Sequence, residues 1–282
     1  MTEERKLTNA QFIELQDFIY KKSGMFFPLS RKNYIEQKVL KRIESLDYKN
    51  FSDYLTILKK ELLQAEILNL FNEITVNETF FFRDQPQFEA LETHIIPRLA
   101  ANGRKSIAIL SAGCSSGEEP YTLAMILREK FPHLPFTICG VDISDQVIAR
   151  AGRAEYTRSA VRRVPPAYLT KYFIEMENGN LKFRDEYKSG VSFKKMNLME
   201  LGASPGLNST RFDVVFCRYV LIYFDRDSKQ RVIDAFHEKI ADNGYLILGN
   251  SESLSSALGN FKILHFPSAI IYHRSSAMEV LT

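Results

Sequence analysis

The 282-residue sequence predicts an α/β protein: a parallel sheet covered on both faces, behind an all-helical N-terminal domain, with a small antiparallel β-subdomain inserted in the second half of the chain. Three observations predict it. Up to about residue 75, apolar residues recur only at helical spacing. After Asn102–Gly103, short apolar runs alternate with helical patterns. Near the middle of 172–190, an Asn178–Gly179 pair divides two alternating segments.

The elements follow in order. Thr8 with Gln11 three residues later is a capping-box pattern, and Phe12, Leu15, Phe18 and Ile19 continue it along one face. Gly24 is a natural stop. Ser30 is a candidate cap for a second helix carrying Ile35, Val39, Ile43 and Leu46. Asn50 to Ser52 breaks the pattern. Tyr54, Leu55, Leu58, Leu62, Leu63, Ile67, Leu70 and Phe71 then give one or two more helices. The apolar runs 106–112, 136–143, 212–218 and 244–250 are sheet strands, separated by helical stretches such as 119–131 and 227–241. The run VSFKKM adds another strand, and FKILHF with SAIIYHR closes the sheet as a pair. Asn-Gly favours a tight hairpin turn in which both central residues take positive φ. The expected domains are 1–76 (helical) and 77–282 (the sheet domain), with 172–190 as the inserted hairpin.

Composition narrows the function. Forty-five per cent apolar and 25% charged residues describe an ordinary globular chain, not a disordered or fibrous one. Thirty-seven Lys and Arg against 34 Asp and Glu leave +3, which argues against a nucleic-acid binder. Cys114, Cys139 and Cys217 are an odd number without C-x-x-C spacing. That excludes a disulfide framework or zinc ribbon and points to a reducing, cytoplasmic setting with no resident metal. The N-terminus lacks the apolar stretch of a signal peptide, and no apolar run is long enough to span a bilayer.

The turn after the first strand reads Ser111-Ala112-Gly113-Cys114-Ser115-Ser116-Gly117-Glu118-Glu119-Pro120. Small residues here let a ligand approach the backbone, though any strand-to-helix turn favours them. The dinucleotide fingerprint is absent. Glu118 and Glu119 stand where a pyrophosphate would sit; they suit the helix dipole, and they also suit a cationic, phosphate-free ligand. S-adenosylmethionine, with its sulfonium and α-ammonium, is such a ligand. Asp142 ends the second strand, where an acid accepts from ribose hydroxyls, while Ser144 is better placed to cap the next helix. Asn197–Leu198 and Arg218–Tyr219 end two further strands on the same sheet edge. Asn197 can meet an adenine edge or simply serve a turn. The junction Asn77-Glu78-Thr79-Phe80-Phe81-Phe82-Arg83-Asp84 is too aromatic for a linker and must be buried. Arg83 there either faces an anion, pairs with Asp84, or stacks on a ring.

Taken together, NETFFFRD (77–84), LSAGCSSGEEPY (110–121), GVDIS (140–144), NL (197–198) and FCRYVLIYFD (216–225) resemble the CheR-type chemotaxis receptor methyltransferases, which are protein-glutamate O-methyltransferases. The resemblance covers nearly the whole chain, with the motifs in family order. It implies a Rossmann-like, class I S-adenosylmethionine-dependent methyltransferase fold, S-adenosylmethionine as methyl donor and S-adenosylhomocysteine as product. It implies that Asn77, Thr79, Arg83, Glu118, Asp142, Asn197, Leu198, Arg218 and Tyr219 line the cofactor site. It also implies that Arg83 and Tyr223 act on the substrate carboxylate. Tyr219 departs from the family pattern, which usually has Asn after the Arg of FCR.

Arg31, Lys38, Lys41 and Arg42 form a basic arc on the second helix: a solvated face, or, by the resemblance, a docking surface for the cytoplasmic helical domain of chemoreceptors. The 172–190 hairpin is a further candidate, for a receptor tail peptide added by strand pairing. Alternatives are the same chemistry on a non-chemotaxis signalling protein, a non-catalytic S-adenosylmethionine-binding scaffold, and an NAD-binding dehydrogenase.

Overall fold

The computed structural model describes residues 6–60, 64–75, 78–203, 207, 210–254 and 261–275. They form two compact units, Met1–Glu78 with Tyr223–Ser228, and Thr79–Ile222 with Lys229–Thr282.

The first unit is helical. Helix α1 (Asn9–Ser23) opens on the capping box: Thr8 accepts from the Gln11 N–H, and the Gln11 side chain accepts from the Thr8 N–H. Gly24 ends it in the left-handed region, at φ 77°. Helix α2 (Lys32–Ser45) differs from expectation. Ser30 does not cap it; a 3-10 turn (Leu29–Arg31) leads in, and Arg31 stands at the cap position without a side-chain bond. Helix α3 (Phe51–Lys59) is capped by Asn50, which accepts from the Asp53 N–H, and α4 (Gln64–Ile74) follows. Ile35, Val39, Ile43, Tyr54, Leu55, Leu58, Ile67, Leu70 and Phe71 are buried; Leu62 and Leu63 lie outside the described residues. The chain returns to this unit at 223–228, where the Phe26 N–H donates to the Tyr223 carbonyl at 2.8 Å.

A charged tie runs through this core. Glu66 on α4 is 2% exposed, and Arg42 on α2 binds it through two nitrogens at 2.9 and 2.5 Å. Tyr54 donates to the same carboxylate at 2.7 Å. Lys38 and Lys41 both reach Glu73 at 3.3 Å. The expected basic arc is therefore divided: Arg42 is spent on an internal carboxylate, while Arg31 and Lys41 are exposed.

The second unit begins with helices α5 (Gln85–Ala90) and α6 (Ile96–Ala101), joined by a π-helical turn. Strand β1 (Ile107–Ala112), helix α7 (Glu118–Lys130), strand β2 (Phe136–Asp142) and helix α8 (Asp145–Arg153) follow. Next come β3 (Glu155–Tyr156), α9 (Pro166–Tyr172), β4 (Phe173–Glu175), β5 (Leu181–Phe183), β6 (Val191–Lys195) and β7 (Phe212–Cys217). Helix α10 (Arg226–Lys239), β8 (Ile240–Leu248), β9 (Lys262–Phe266) and β10 (Ala269–His273) complete the chain.

Seven strands form one sheet in the order β6-β2-β1-β7-β8-β10-β9. The first five are mutually parallel; β10 runs antiparallel to both β8 and β9, giving the expected closing pair. All six residues of β7 are buried, as a central strand covered on both faces requires. Helix α7 is apolar almost all round because it lies against that core: Tyr121, Leu123, Ala124, Met125, Ile126 and Leu127 are all buried.

The inserted subdomain has three antiparallel strands, β3-β5-β4, one more than the hairpin expected. Its turn also differs. Of the Asn178–Gly179 pair only Gly179 has positive φ, 78°. The Asn178 side chain accepts from the Asn180 N–H at 3.0 Å, and Met176 pairs with both Gly179 and Asn180. That side-chain bond shapes a longer loop in which one left-handed residue suffices. Phe81 packs edge-to-face on Tyr156 and Phe173, so the aromatic junction belongs to the core of this unit.

Among the described residues, no helix is long and apolar enough to cross a membrane.

Arg42→Ala leaves the buried Glu66 without its cation and is expected to cost about 3–5 kcal/mol. Lys41→Ala, at an exposed pair, is expected to cost less than about 1 kcal/mol. Urea unfolding followed by circular dichroism measures both.

Candidate functional site

The site sits at the carboxyl edge of the parallel strands, where β1, β2, β6 and β7 end and open α/β sheets bind ligands. The β1–α7 turn is bent sharply. The N–H groups of Gly113 and Cys114 both donate to the Val141 carbonyl, at 2.8 and 2.9 Å. Gly113, Ser115 and Gly117 all have positive φ, 75°, 48° and 91°. A Cβ at Gly113 would lie 2.3 Å from Val220 Cγ2, so this glycine is required by packing as well as by conformation.

Two carboxylates bracket the turn. Asp142 accepts from the Ser115 N–H at 3.0 Å and the Ser144 N–H at 3.1 Å. Burial pushes its carboxyl up, and the backbone donors oppose this. Ser144, not Asp142, caps α8. Glu118 is 3% exposed, and the Ser116 hydroxyl lies 2.9 Å from both of its oxygens. Burial raises this carboxyl too. Cys114, inside the turn, is buried; burial first, then the Asp142 and Glu119 charges, pushes its thiol well up. Burial also raises the thiols of Cys139 and Cys217.

Glu119 has a different use from its neighbour. It accepts from the Ser111 hydroxyl and from Arg218 Nε, each at 2.6 Å. Arg218 is 8% exposed, and its other donors reach the Arg83 carbonyl at 2.6 Å and Gln87 Oε1 at 2.8 Å. Asp84 lies 3.5 Å from it, and Phe88 stacks under it at 4.9 Å. Of the two acids expected to welcome a cationic ligand, Glu118 and Glu119, the second is thus neutralised internally.

Tyr219 has φ 61°. Its N–H donates to Glu252, its hydroxyl donates to Asp84, and the Arg83 guanidinium lies 3.7 Å over its ring. Burial, then the bond to Asp84, raises its phenol. Where an amide is usual in the family resembled, this chain has an aromatic platform beneath an arginine.

Asn197 caps the 3-10 turn Leu198–Ala203, its side-chain oxygen accepting from the Met199 N–H at 3.1 Å, and Leu198 is buried. The Met196 N–H donates to the Asp142 carbonyl at 2.8 Å, which brings this segment beside the ribose candidate. Thr79 is half-buried on the stretch leading to Arg83. Asn77 lies outside the described residues. Tyr223 falls in the first unit, where its ring is 6.4 Å from Phe27.

Gln87 and Glu252 escaped the sequence reading, and Asp84 entered it as a partner for Arg83 only, not for Arg218 and Tyr219. One signal pointed to partners of this kind: an arginine closing a wholly buried strand is itself buried, and a buried guanidinium needs acceptors.

A family model described as the CheR methyltransferase SAM-binding domain matches residues 77–270, and one described as the CheR methyltransferase all-alpha domain matches 10–75. The chemotaxis protein methyltransferase 2 of Vibrio cholerae is 32% identical over 272 residues, covering 95% of this chain and 94% of its own length. The chemotaxis protein methyltransferase of Borreliella burgdorferi is 32% identical over 88% of this chain and 89% of its own. Among solved structures, the magnesium protoporphyrin IX methyltransferase of Synechocystis, with bound S-adenosylmethionine, is 14% identical over 68% of this chain and 80% of that one, at TM-score 0.36.

Gly113→Ala combines a positive φ with the clash against Val220. It is expected to cost about 2 kcal/mol or more and to weaken S-adenosylhomocysteine binding in parallel. Thermal unfolding with and without that ligand measures both.

Proposed function

The chain belongs to the CheR methyltransferase family, and from that membership we propose that it methylates glutamate side chains of chemoreceptors, forming glutamate methyl esters and S-adenosylhomocysteine in sensory adaptation. It is an S-adenosylmethionine-dependent methyltransferase. The observation that carries the glutamate assignment is Arg83, an arginine held over the Tyr219 ring at 3.7 Å, beside the sheet edge that also carries Asp142 and Glu118. A guanidinium so oriented offers a planar fork to a carboxylate.

The donor set fits the cofactor. Glu118 matches an α-ammonium, Asp142 keeps lone pairs for two ribose hydroxyls, and Asn197 with Leu198 suits an adenine edge and face. When bound, S-adenosylmethionine supplies an electrophilic methyl on a sulfonium. Arg218 and Tyr219 act by fixing the wall of the site through Glu119, Asp84 and Glu252.

A glutamate side chain is already ionised near neutral pH, so attack on that methyl needs no general base. The protein's part is alignment. Arg83 holds the substrate carboxylate by charge-assisted bonds. For Tyr223 the proposal is a single neutral donation to one oxygen, which leaves the other oxygen nucleophilic. Exposed Arg31 and Lys41 on α2, with Lys38, are the proposed receptor-docking charges; Arg42 supports them from its bond to Glu66. Strand β4 lies at the edge of its sheet, where a receptor tail peptide can add as a further strand.

The test is formation of base-labile methyl ester on a chemoreceptor cytoplasmic fragment from radiolabelled S-adenosylmethionine. Arg83→Ala is expected to lower kcat/KM by about 100-fold, with S-adenosylhomocysteine affinity changed far less. Normal transfer kinetics in that variant would remove the assignment.

A pH dependence follows from burial of Glu118. Its carboxyl is raised, so acidification protonates it closer to neutrality than an ordinary glutamate. The ligand's α-ammonium needs the charged carboxylate, so S-adenosylhomocysteine affinity is expected to fall as pH drops, and Glu118→Gln is expected to flatten that fall. Calorimetry across the range measures it.

A further inference from the structure

Phe80 is half-buried on the segment that carries Arg83. Three guanidinium groups surround its ring: Arg162 at 3.8 Å from the centroid, Arg163 at 5.0 Å and Arg83 at 5.8 Å. Arg162 and Arg163 are both exposed and come from the turn between β3 and α9. That turn is anchored. Val161 and Val164 beside the two arginines are buried, and the Ala160 carbonyl accepts from the Phe81 N–H at 3.0 Å. The backbone therefore fixes where these two cations stand relative to Arg83.

A ring attracts a cation to its face, which partly offsets the repulsion among three like charges. A guanidinium lying on a ring still directs its N–H edge outward in its own plane, the geometry that meets a carboxylate. Arg162 also bonds the Ser159 carbonyl at 2.8 Å, which steadies it. The chain as a whole carries only +3, so this concentration of positive charge is local.

We propose that Phe80, Arg162 and Arg163 form a second, basic subsite, which binds a further carboxylate of the polypeptide whose glutamate reacts at Arg83. The proposal rests on the assignment of Arg83 to the substrate glutamate. It makes the preferred substrate a segment with another acidic side chain close to the methylated one, and it makes a lone glutamate a poor substrate. Charge complementarity at such a rim acts on substrate capture, not on the chemical step.

The test uses the full chain, with Arg162→Gln and Arg163→Gln combined, and two substrates. One is a chemoreceptor cytoplasmic fragment. The other is the same fragment with the acidic residues flanking a methylated glutamate changed to glutamine. The double variant is expected to raise KM for the first fragment about tenfold, with kcat and S-adenosylhomocysteine affinity held within about twofold. It is also expected to lose the wild-type preference for the first fragment, and Arg→Lys at both positions is expected to restore part of it. An unchanged KM, or an equal rise for both fragments, overturns the subsite. No methyl ester on either fragment with the wild-type enzyme overturns the glutamate reading, and the subsite with it. A shared loss of cofactor affinity and thermal stability marks the arginines as structural, which also overturns it.

Discussion

Everything at the sheet edge depends on the buried pair of Arg218 and Glu119. Their side chains are 5% and 12% exposed. Charges so placed cost several kcal/mol each unless every donor and acceptor finds a partner. Here the partners are close at hand: the Ser111 hydroxyl donates to one oxygen of Glu119, and Arg218 Nη1 donates to Gln87 and the Arg83 carbonyl. The pair thus joins the first turn of α7, the end of β7 and the segment before α5. On that segment Phe82 and Asp84 both have positive φ, 56° and 57°, a conformation that costs a bulky residue of order 1 kcal/mol or more. The buried Phe81 on one side and Arg218 on the other hold the chain there, and Arg83 between them has little choice of direction.

The layered fold was legible because its signals are strong and local. The capping box at Thr8, the Gly24 stop, the buried runs of β1 and β7 and the apolar α7 follow from periodicity and from the need to cover both faces of a parallel sheet. Less local features were missed. Ser30 looks like a cap, yet a 3-10 turn displaces the helix start by one residue, to Lys32. Strand β3 is two residues long and pairs with β5 about 25 residues downstream, beyond what any short window can carry.

The site was legible where one residue acts alone and obscure where several share a charge. Asp142 and Gly113 could be placed from their position at a strand end. Glu118 and Glu119 look equivalent in sequence, but helix geometry turns them differently, one toward Ser116 and one toward Arg218. The basic arc of α2 divides for the same reason. Residues four apart share a face, and whether that face meets solvent or a buried glutamate depends on α4, which the α2 sequence does not describe.

The three thiols carry a consequence for chemical durability. Oxidants and alkylating agents attack thiolate, and each cysteine here is held protonated by its surroundings. Cys114 lies within the turn between β1 and α7, where a sulfenic acid or a mixed disulfide would distort the backbone around Gly113. Burial keeps that sulfur out of reach of both reactions, so the turn holds its shape where an exposed thiol would be modified.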